Sequence, residues 1–520
     1  MVAPQQSFCL ASQVEAGHQC PIGLRWNNSN FPATDRAVLA LEFEGLITLA
    51  ALKQNLAHWQ RTESYFLAAE PDALFAVVGD LKQTGNWMKS FDGFMVHDNQ
   101  RGVGSAVDLL PPGKVFGTLH RETAPAGSIT RRNQQQRLVE FTQPQPGGAM
   151  VLRWAVQAVS GGSRLHFTVE LTGPGTAVFK HTVANPLFDD FAINCARLYR
   201  QIPHMARHRV QRHVVVAGGR GFLGRRLVAD LICHGNSVVV LTRSHEDDFP
   251  AAQFLWDGVH QGPWKAAFIR ENYPVSLVNL AGELVDKRNT EANIELLTAS
   301  RVQSTQALAD AVAGLGFSLD TWVQSSTTAI YGDAGERRIT ESSPLPTGPD
   351  ALPEMTGVAQ AWEDAFAQAP VTAENNYVLR TSLVFADQAP LLKSLMMLVR
   401  TGLGGPIGDG QQWVSWISLP DWLALVRQLL GVEGTRPDPG VINAAAPTPV
   451  RNAQMMQWLR QKYAMPGFGA PAALVRVGAN VLGSNPRVAL TGRHVTSQVL
   501  TEHGFEFQQP TFESLLTDLE

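Results

Sequence analysis

The run Gly218-Gly219-Arg220-Gly221-Phe222-Leu223-Gly224 holds the residues whose types and spacing point most directly to chemistry. Gly218 permits a tight turn, Gly221 lets a phosphate group approach the backbone, and Gly224 lets a following helix pack closely. The unpaired N–H groups at the start of that helix, together with its dipole, attract an anion. The chemistry implied is the holding of a dinucleotide pyrophosphate. Two cations stand nearby: Arg220 within the run, and Arg243 just after the apolar stretch Val238-Val239-Val240-Leu241. A chain selective for NAD usually places an acid at the second of these positions, to hold the ribose 2′-OH. Guanidinium groups instead suit the 2′-phosphate of NADP, which they bind in a charge-assisted fork. NADP (as NADPH) is therefore the expected cofactor.

Such a turn works only between a strand and a helix, and the flanking residues supply both. Val214-Val215-Val216 reads as a buried strand, and Leu227, Val228, Leu231 and Ile232 recur at helical spacing before the next strand, 238–241. Further strands at 275–280, 321–326 and 377–383 alternate with helices at 290–313, 350–369 and 391–400. Regular alternation of this kind implies the α/β class, with a doubly wound parallel sheet of Rossmann type and ligands at the carboxyl ends of its strands.

The preceding segment has another texture. Tyr65-Phe66-Leu67 reads as a short strand, and Glu70-Pro71-Asp72 opens a helix. Strand-like runs at 104–110, 114–122, 136–142, 150–159 and 164–171 then lead to a long helical pattern from Asn185 to about Met205. This order implies an α+β domain. Trp87, Trp154 and Phe167 are candidates either for lining a cavity in it or for plain core. Four units result: an N-terminal arm and helix (1–60), the α+β domain (61–209), the dinucleotide-binding domain (210–445) and a small C-terminal domain (446–520).

Composition narrows the partners. A formal net charge of −4 gives no electrostatic case for nucleic acid or an anionic membrane surface. The four cysteines are scattered with no C-x-x-C pair, which suits a reducing cytoplasm and argues against a metal site or a disulfide framework. No apolar run reaches membrane-spanning length, and the N-terminus lacks the pattern of a signal peptide. A cytoplasmic location and a small-molecule substrate are the expectation.

Several motifs in order carry a family resemblance. They are the glycine turn, Val278-Asn279-Leu280-Ala281-Gly282-Glu283, Ser325-Ser326-Thr327-Thr328-Ala329-Ile330-Tyr331-Gly332, Leu379-Arg380-Thr381, the glycine-rich run 402–408, Trp416-Ile417 with Asp421, and Pro449-Val450-Arg451-Asn452. Residues 213 to about 510 resemble the epimerase-like branch of the extended or atypical short-chain dehydrogenase/reductase superfamily, the branch of nucleoside-diphosphate-sugar epimerases. Residues 61–209 resemble, by element order, the START-like ligand-binding domain of polyketide-cyclase type, whose curved sheet wraps a helix around an apolar cavity. The resemblance implies that Leu280, Ala281 and Gly282 pass close to the cofactor ribose. It also implies that Thr327 is the catalytic hydroxyl on a substrate oxygen, that Tyr331 packs beside it, and that Arg380 ends a strand on the nicotinamide side. The glycine-rich run 402–410 is open to three roles: a lid, an anion-holding turn or a plain loop.

One departure bears on the chemistry. The superfamily exchanges protons through a Tyr and a Lys four residues later on one helix face. The corresponding segment here, 352–363, contains neither. Glu354, Thr327, Tyr331 and a substrate group are all open as replacements. The expected function is an NADP-binding oxidoreductase or epimerase-like enzyme acting on a small or nucleotide-sugar-like substrate, with an apolar ligand in the 61–209 domain. The alternative is a non-catalytic NADP-sensing regulatory or ligand-binding protein.

Overall fold

The computed structural model describes residues 58–518, except 91–92, 97–102, 111–125, 146, 208–210, 271, 286, 371–372, 388, 464, 474 and 476–484. The arm and helix expected before residue 58, and the strand expected at 114–122, lie outside the described residues.

Seven strands, β1 (His58–Leu67), β2 (Gly93–Val96), β3 (Ala106–Leu110), β4 (Gly127–Asn133), β5 (Leu138–Gln145), β6 (Gly148–Val159) and β7 (Gly162–Thr172), form one antiparallel sheet in the order β1-β7-β6-β5-β4-β3-β2. Consecutive strands pair as a meander, and β1 returns to β7 over its whole length. β5 and β6 alternate buried and half-buried residues, as expected of a sheet with one covered face. Helix α1 (Pro71–Val78) starts at the Pro predicted to open it. The long helix expected from Asn185 to Met205 is broken: α2 spans Phe191–Gln201, and Asp190 before it is left-handed, with φ 52°. Pro186 and the short polar Asp189-Asp190 pair interrupt the helical pattern, and Asp tolerates this backbone region better than most residues. β2 and β4 were not legible in sequence. β4 reads Gly-Ser-Ile-Thr-Arg-Arg-Asn and buries only Gly127 and Ile129.

The second sheet is parallel throughout. It comprises β8 (His213–Ala217), β9 (Ser237–Thr242), β10 (Ala252–Leu255), β11 (Val275–Asn279), β12 (Leu319–Thr327), β13 (Ala373–Thr381) and β14 (Gly440–Ala444). The spatial order β10-β9-β8-β11-β12-β13-β14 reverses direction between β8 and β11. That reversal opens a crevice at the carboxyl ends of the two strands, directly above the glycine turn. β8 and β11 are buried at every position because helices cover both faces. The covering helices include α3 (Phe222–Cys233), the long α4 (Glu291–Ala313) and α5 (Val358–Ala367). The Thr290 hydroxyl caps α4 by accepting from the Asn293 N–H. β10 was missed because it is a half-exposed edge strand without an apolar run.

The two sheets meet through their helices. α2 of the first packs on α3 of the second, and the Ala68 N–H donates to the Cys233 carbonyl at 2.7 Å. Among the described residues, no helix is long and apolar enough to cross a membrane.

Candidate cofactor and substrate site

The glycine turn sits where β8 ends. Gly218 has φ +76°, and a Cβ there would stand 2.8 Å from the Leu280 carbonyl oxygen. Gly218 therefore lets the ends of β8 and β11 approach each other, and the Leu280 N–H donates to Ala217 O at 2.9 Å. Gly224 permits a different contact. Its Cβ would lie 2.4 Å from Gly218 O and 2.7 Å from Gly219 Cα, so α3 rests directly on the turn. At Gly221 a Cβ would meet only Gly218 O, at 3.4 Å, so the backbone here faces open space. Phe222 and Leu223 send their side chains into apolar clusters, leaving the first-turn N–H groups of α3 as the polar surface.

The two predicted cations have different surroundings. Arg220 donates through Nη1 to both Ser244 O and Ser244 Oγ at 2.6 Å, and through Nε to Glu246 Oε2 at 3.1 Å. Arg243 keeps 76% of its side chain exposed, and its contact with Glu283 is loose at 3.6 Å. Sequence reasoning missed Glu246, which also accepts from Arg225 at 2.6 Å. Arg225 in turn reaches Asp190 at 3.0 Å, the residue just before α2. A line of charges thus runs from the cofactor turn to the first domain. Its only sequence signal is an acidic loop following the second strand.

At the end of β11 the Ala281 N–H donates to Asn279 Oδ1 at 3.0 Å. Asn279 is buried and donates to Gln324 Oε1 and Thr305 Oγ1. Gly282 lies against Arg301 of α4, another residue that sequence reasoning missed. Arg301 donates to the carbonyls of Leu297 and Glu283 and lies over the Trp362 ring. Burial lowers its pKa to about 10.

Thr327 ends β12, opposite Thr381 of β13. Its Oγ1 accepts from the Ala329 N–H at 3.1 Å and so starts the turn Thr328–Tyr331. A hydroxyl anchored in this way keeps its own proton to donate. Tyr331 and Arg380 lie side by side beneath this turn. Tyr331 is 1% exposed, and its hydroxyl is directed at Asn443 Oδ1 (3.0 Å) with Thr340 O at 3.2 Å. The same oxygen accepts from Arg380 Nη1 at 2.8 Å. Arg380 forks onto Glu363 through Nε and Nη2, at 2.9 and 2.7 Å, and Ser326 Oγ donates to the same carboxylate at 2.5 Å. The Arg380 guanidinium is thus held inside the fold by Glu363 of α5 and by the Tyr331 hydroxyl. Burial pushes the Tyr331 phenol up, and Arg380 partly offsets this.

The segment that lacks the Tyr/Lys pair forms a π-turn, Pro353–Gly357, ahead of α5. Glu354 on this turn pairs with Arg487 at 3.1 Å. The glycine-rich run 402–410 is tied down by backbone bonds. The Gly405 N–H donates to Phe468 O, Gly408 N–H to Ala470 O, and Ile407 N–H to Asn452 Oδ1. Those N–H groups are committed to protein acceptors, so the run is a packed loop. Asp421 accepts from the Gln508 and Gln509 N–H groups and holds the C-terminal segment. In the first domain Trp87, Trp154 and Phe167 are fully buried, and Phe167 packs on Trp154, Phe188 and Phe191.

A parallel sheet with a glycine turn at its switch point defines a dinucleotide-binding protein of Rossmann type, here joined to a START-like antiparallel domain. Comparison with known proteins agrees. Residues 214–360 match the model of the NAD dependent epimerase/dehydratase family. Residues 58–200 match that of polyketide cyclase / dehydrase and lipid transport, and residues 470–519 match a domain of unknown function. The Arabidopsis thaliana protein "Epimerase family protein SDR39U1 homolog, chloroplastic" is 32% identical over 305 residues, covering 57% of this chain and 84% of its own. A second relative, epimerase family protein ML0860 of Mycobacterium leprae, is 28% identical over 311 residues, covering 58% and 94% of the two chains. Among solved structures, human epimerase family protein SDR39U1 with NADPH aligns at TM-score 0.50 and 24% identity, covering 59% of this chain and 98% of that one. The nucleoside-diphosphate sugar epimerase from Corynebacterium glutamicum aligns at TM-score 0.52 and 20% identity, covering 88% and 89%. This chain belongs to the epimerase family, as an epimerase domain carrying an N-terminal polyketide-cyclase-type domain.

Proposed function

We propose that this protein is an NADP-dependent oxidoreductase or epimerase-like enzyme acting on a small or nucleotide-sugar-like substrate. The observation that carries the reading is the exposed Arg243 guanidinium, next in sequence to the Ser244 that Arg220 holds, together with the open backbone at Gly221. The residues fit the cofactor. The α3 N–H groups take the pyrophosphate, Arg220, Arg243 and Ser244 take the 2′-phosphate, and Leu280, Ala281 and Gly282 line the ribose. When bound, the nicotinamide supplies or accepts a hydride. Thr327 holds the substrate oxygen by donating a hydrogen bond. Tyr331 and Arg380 act as positioning residues, fixing the end of β12 from beneath. The human relative's structure with NADPH is consistent with this choice of nucleotide. Charge-assisted bonds contribute about 1.5–3 kcal/mol each, so Arg243→Ala weakens NADPH binding about tenfold or more and barely changes NADH. Titration by nicotinamide fluorescence tests it, and equal affinities of the unmutated protein for both nucleotides reject NADP selectivity. Turnover follows from NADPH oxidation over carbonyl compounds and nucleotide sugars, lowered in Thr327→Val.

A second reading, cofactor sensing, is favoured by the charge line Arg220–Glu246–Arg225–Asp190 between the nucleotide rim and α2. A 2′-phosphate on Arg220 competes with Glu246 and so loosens or tightens the hold on Asp190. Hydrogen exchange of residues 189–197 with and without NADP tests this, and unchanged exchange at saturating NADP rejects it.

A further inference from the structure

The loop that follows β9 is held from both domains. On one side Arg220 takes the Ser244 carbonyl and hydroxyl and the Glu246 carboxylate. Gln253 of β10 holds Glu246 by both backbone groups, accepting from its N–H at 3.0 Å and donating to its carbonyl at 2.8 Å. The Phe249 N–H then closes a turn on Glu246 O at 3.4 Å, with Asp248 inside it. That turn is gripped from the first domain. Arg197 of α2 donates through Nε to the Asp248 carbonyl at 2.8 Å, and Lys89 stands 3.5 Å from the Asp248 carboxylate. Asp248 is left-handed, at φ 58°. A non-glycine residue stays in that region where its surroundings fix it, and such residues gather at ligand clamps.

Arg197 is itself set in place from within the first domain. Its Nη1 donates to Asn194 Oδ1 at 2.8 Å, and the same oxygen accepts from the Lys89 N–H at 3.1 Å. Asn194 is buried, and its Nδ2 donates to Asp189 O at 3.3 Å. Positions 190, 194 and 197 are four and three apart, so they lie along one face of the helix. That face meets the parallel-sheet domain through Asp190 on Arg225 and through Arg197 on Asp248. The first contact belongs to the charge line already described. The second goes to a backbone carbonyl, so what it fixes is the path of the chain. Asp248 lies two residues beyond Glu246 and four beyond Ser244, the residues that Arg220 holds.

We propose that Arg197 is a positioning residue of the cofactor site: from the first domain it holds the loop that presents Ser244 and Glu246 to Arg220, and so sets the preference for a nucleotide with a 2′-phosphate. The START-like domain is then part of the nucleotide rim. The α3 N–H groups meet the pyrophosphate, whereas residues at this loop meet the 2′-phosphate, so a loosened loop weakens NADPH and spares NADH. This rests on the reading of Arg220, Arg243 and Ser244 as the 2′-phosphate site.

The test is titration of the full chain with NADPH and with NADH, by nicotinamide fluorescence, in wild type, Arg197→Gln and Arg197→Lys. Wild type is expected to prefer NADPH. Arg197→Gln should lower the ratio of the two affinities about fivefold or more, with NADH affinity kept within about twofold. Arg197→Lys keeps the charge, but a single ammonium does not span Asp248 O and Asn194 Oδ1 together, so its ratio should fall between. A residue that merely ties the domains together would lower the thermal midpoint, or weaken both nucleotides alike, and leave the ratio unchanged. An unchanged ratio in Arg197→Gln, with wild type preferring NADPH, overturns the proposal and leaves the cofactor reading standing. Equal affinities in wild type overturn the cofactor reading and the proposal with it. If Arg197→Gln does not fold, Arg197→Lys decides, and a wild-type ratio in it overturns the proposal.

Discussion

The two rims of the crevice are built on opposite principles. The cofactor rim is made by leaving side chains out. Gly218, Gly221 and Gly224 bring backbone close to backbone, or expose it to open space, and α3 supplies N–H groups. The rim at the end of β12 is made by filling space with polar side chains that satisfy one another. Ser326, Glu363, Arg380, Tyr331 and Asn443 form one continuous buried network. The first kind of rim waits for a ligand's charge. The second is complete in itself.

That contrast implies unequal responses to mutation. Glu363→Ala strands the Arg380 guanidinium inside the fold. Removing one partner of a buried pair costs about 3–5 kcal/mol, and chemical denaturation should show a loss of that size with NADPH affinity nearly unchanged. A loss below about 1 kcal/mol would place this pair with surface ion pairs instead.

Within the cofactor rim, Gly224→Ala and Gly221→Ala should separate. The first forces a methyl to 2.4 Å from a backbone oxygen, so it should cost about 1–3 kcal/mol of stability as well as nucleotide binding. The second meets nothing closer than 3.4 Å in the free protein, so the thermal midpoint should hold while NADPH affinity falls. Equal stability losses in the two would mean that Gly221 is a packing residue like its neighbour.

A smaller effect is expected at Glu246. Its carboxylate neutralises Arg220 and repels an incoming phosphate. Glu246→Gln should raise NADPH affinity a few-fold, worth about 0.5–1 kcal/mol, with the gain shrinking as salt is added. NADH affinity should not follow.

The smallest effect lies at the other end of the strand that carries the turn. His213 opens β8, with Nε2 on Ala267 O at 2.7 Å and Nδ1 on Ser237 Oγ at 3.0 Å. Burial lowers its pKa, partly offset by the bond to the Ala267 carbonyl. Since the folded value lies below the unfolded one, its contribution is fully present above about pH 6.5 and is lost as pH falls through the folded pKa. Thermal midpoints at pH 7.5, 6.5 and 5.5 should decline toward acid, and decline less in His213→Gln.

The sequence by itself determined the glycine turn between strand and helix and the class of the second sheet. A glycine's backbone freedom and an apolar strand are local properties, visible within about thirty residues of chain. It also pointed to the first domain through element order, although β2, β4 and β10 carry too little apolar alternation to be read. Only the tertiary structure decided what the polar side chains face. Arg380 finds Glu363 17 positions away and Tyr331 finds Asn443 112 away, while Arg220 is claimed by Glu246 and Arg493 by no carboxylate among the described residues. A charge declares its type in the sequence, but whether it is satisfied depends on which distant residues the fold brings within about 3 Å of it.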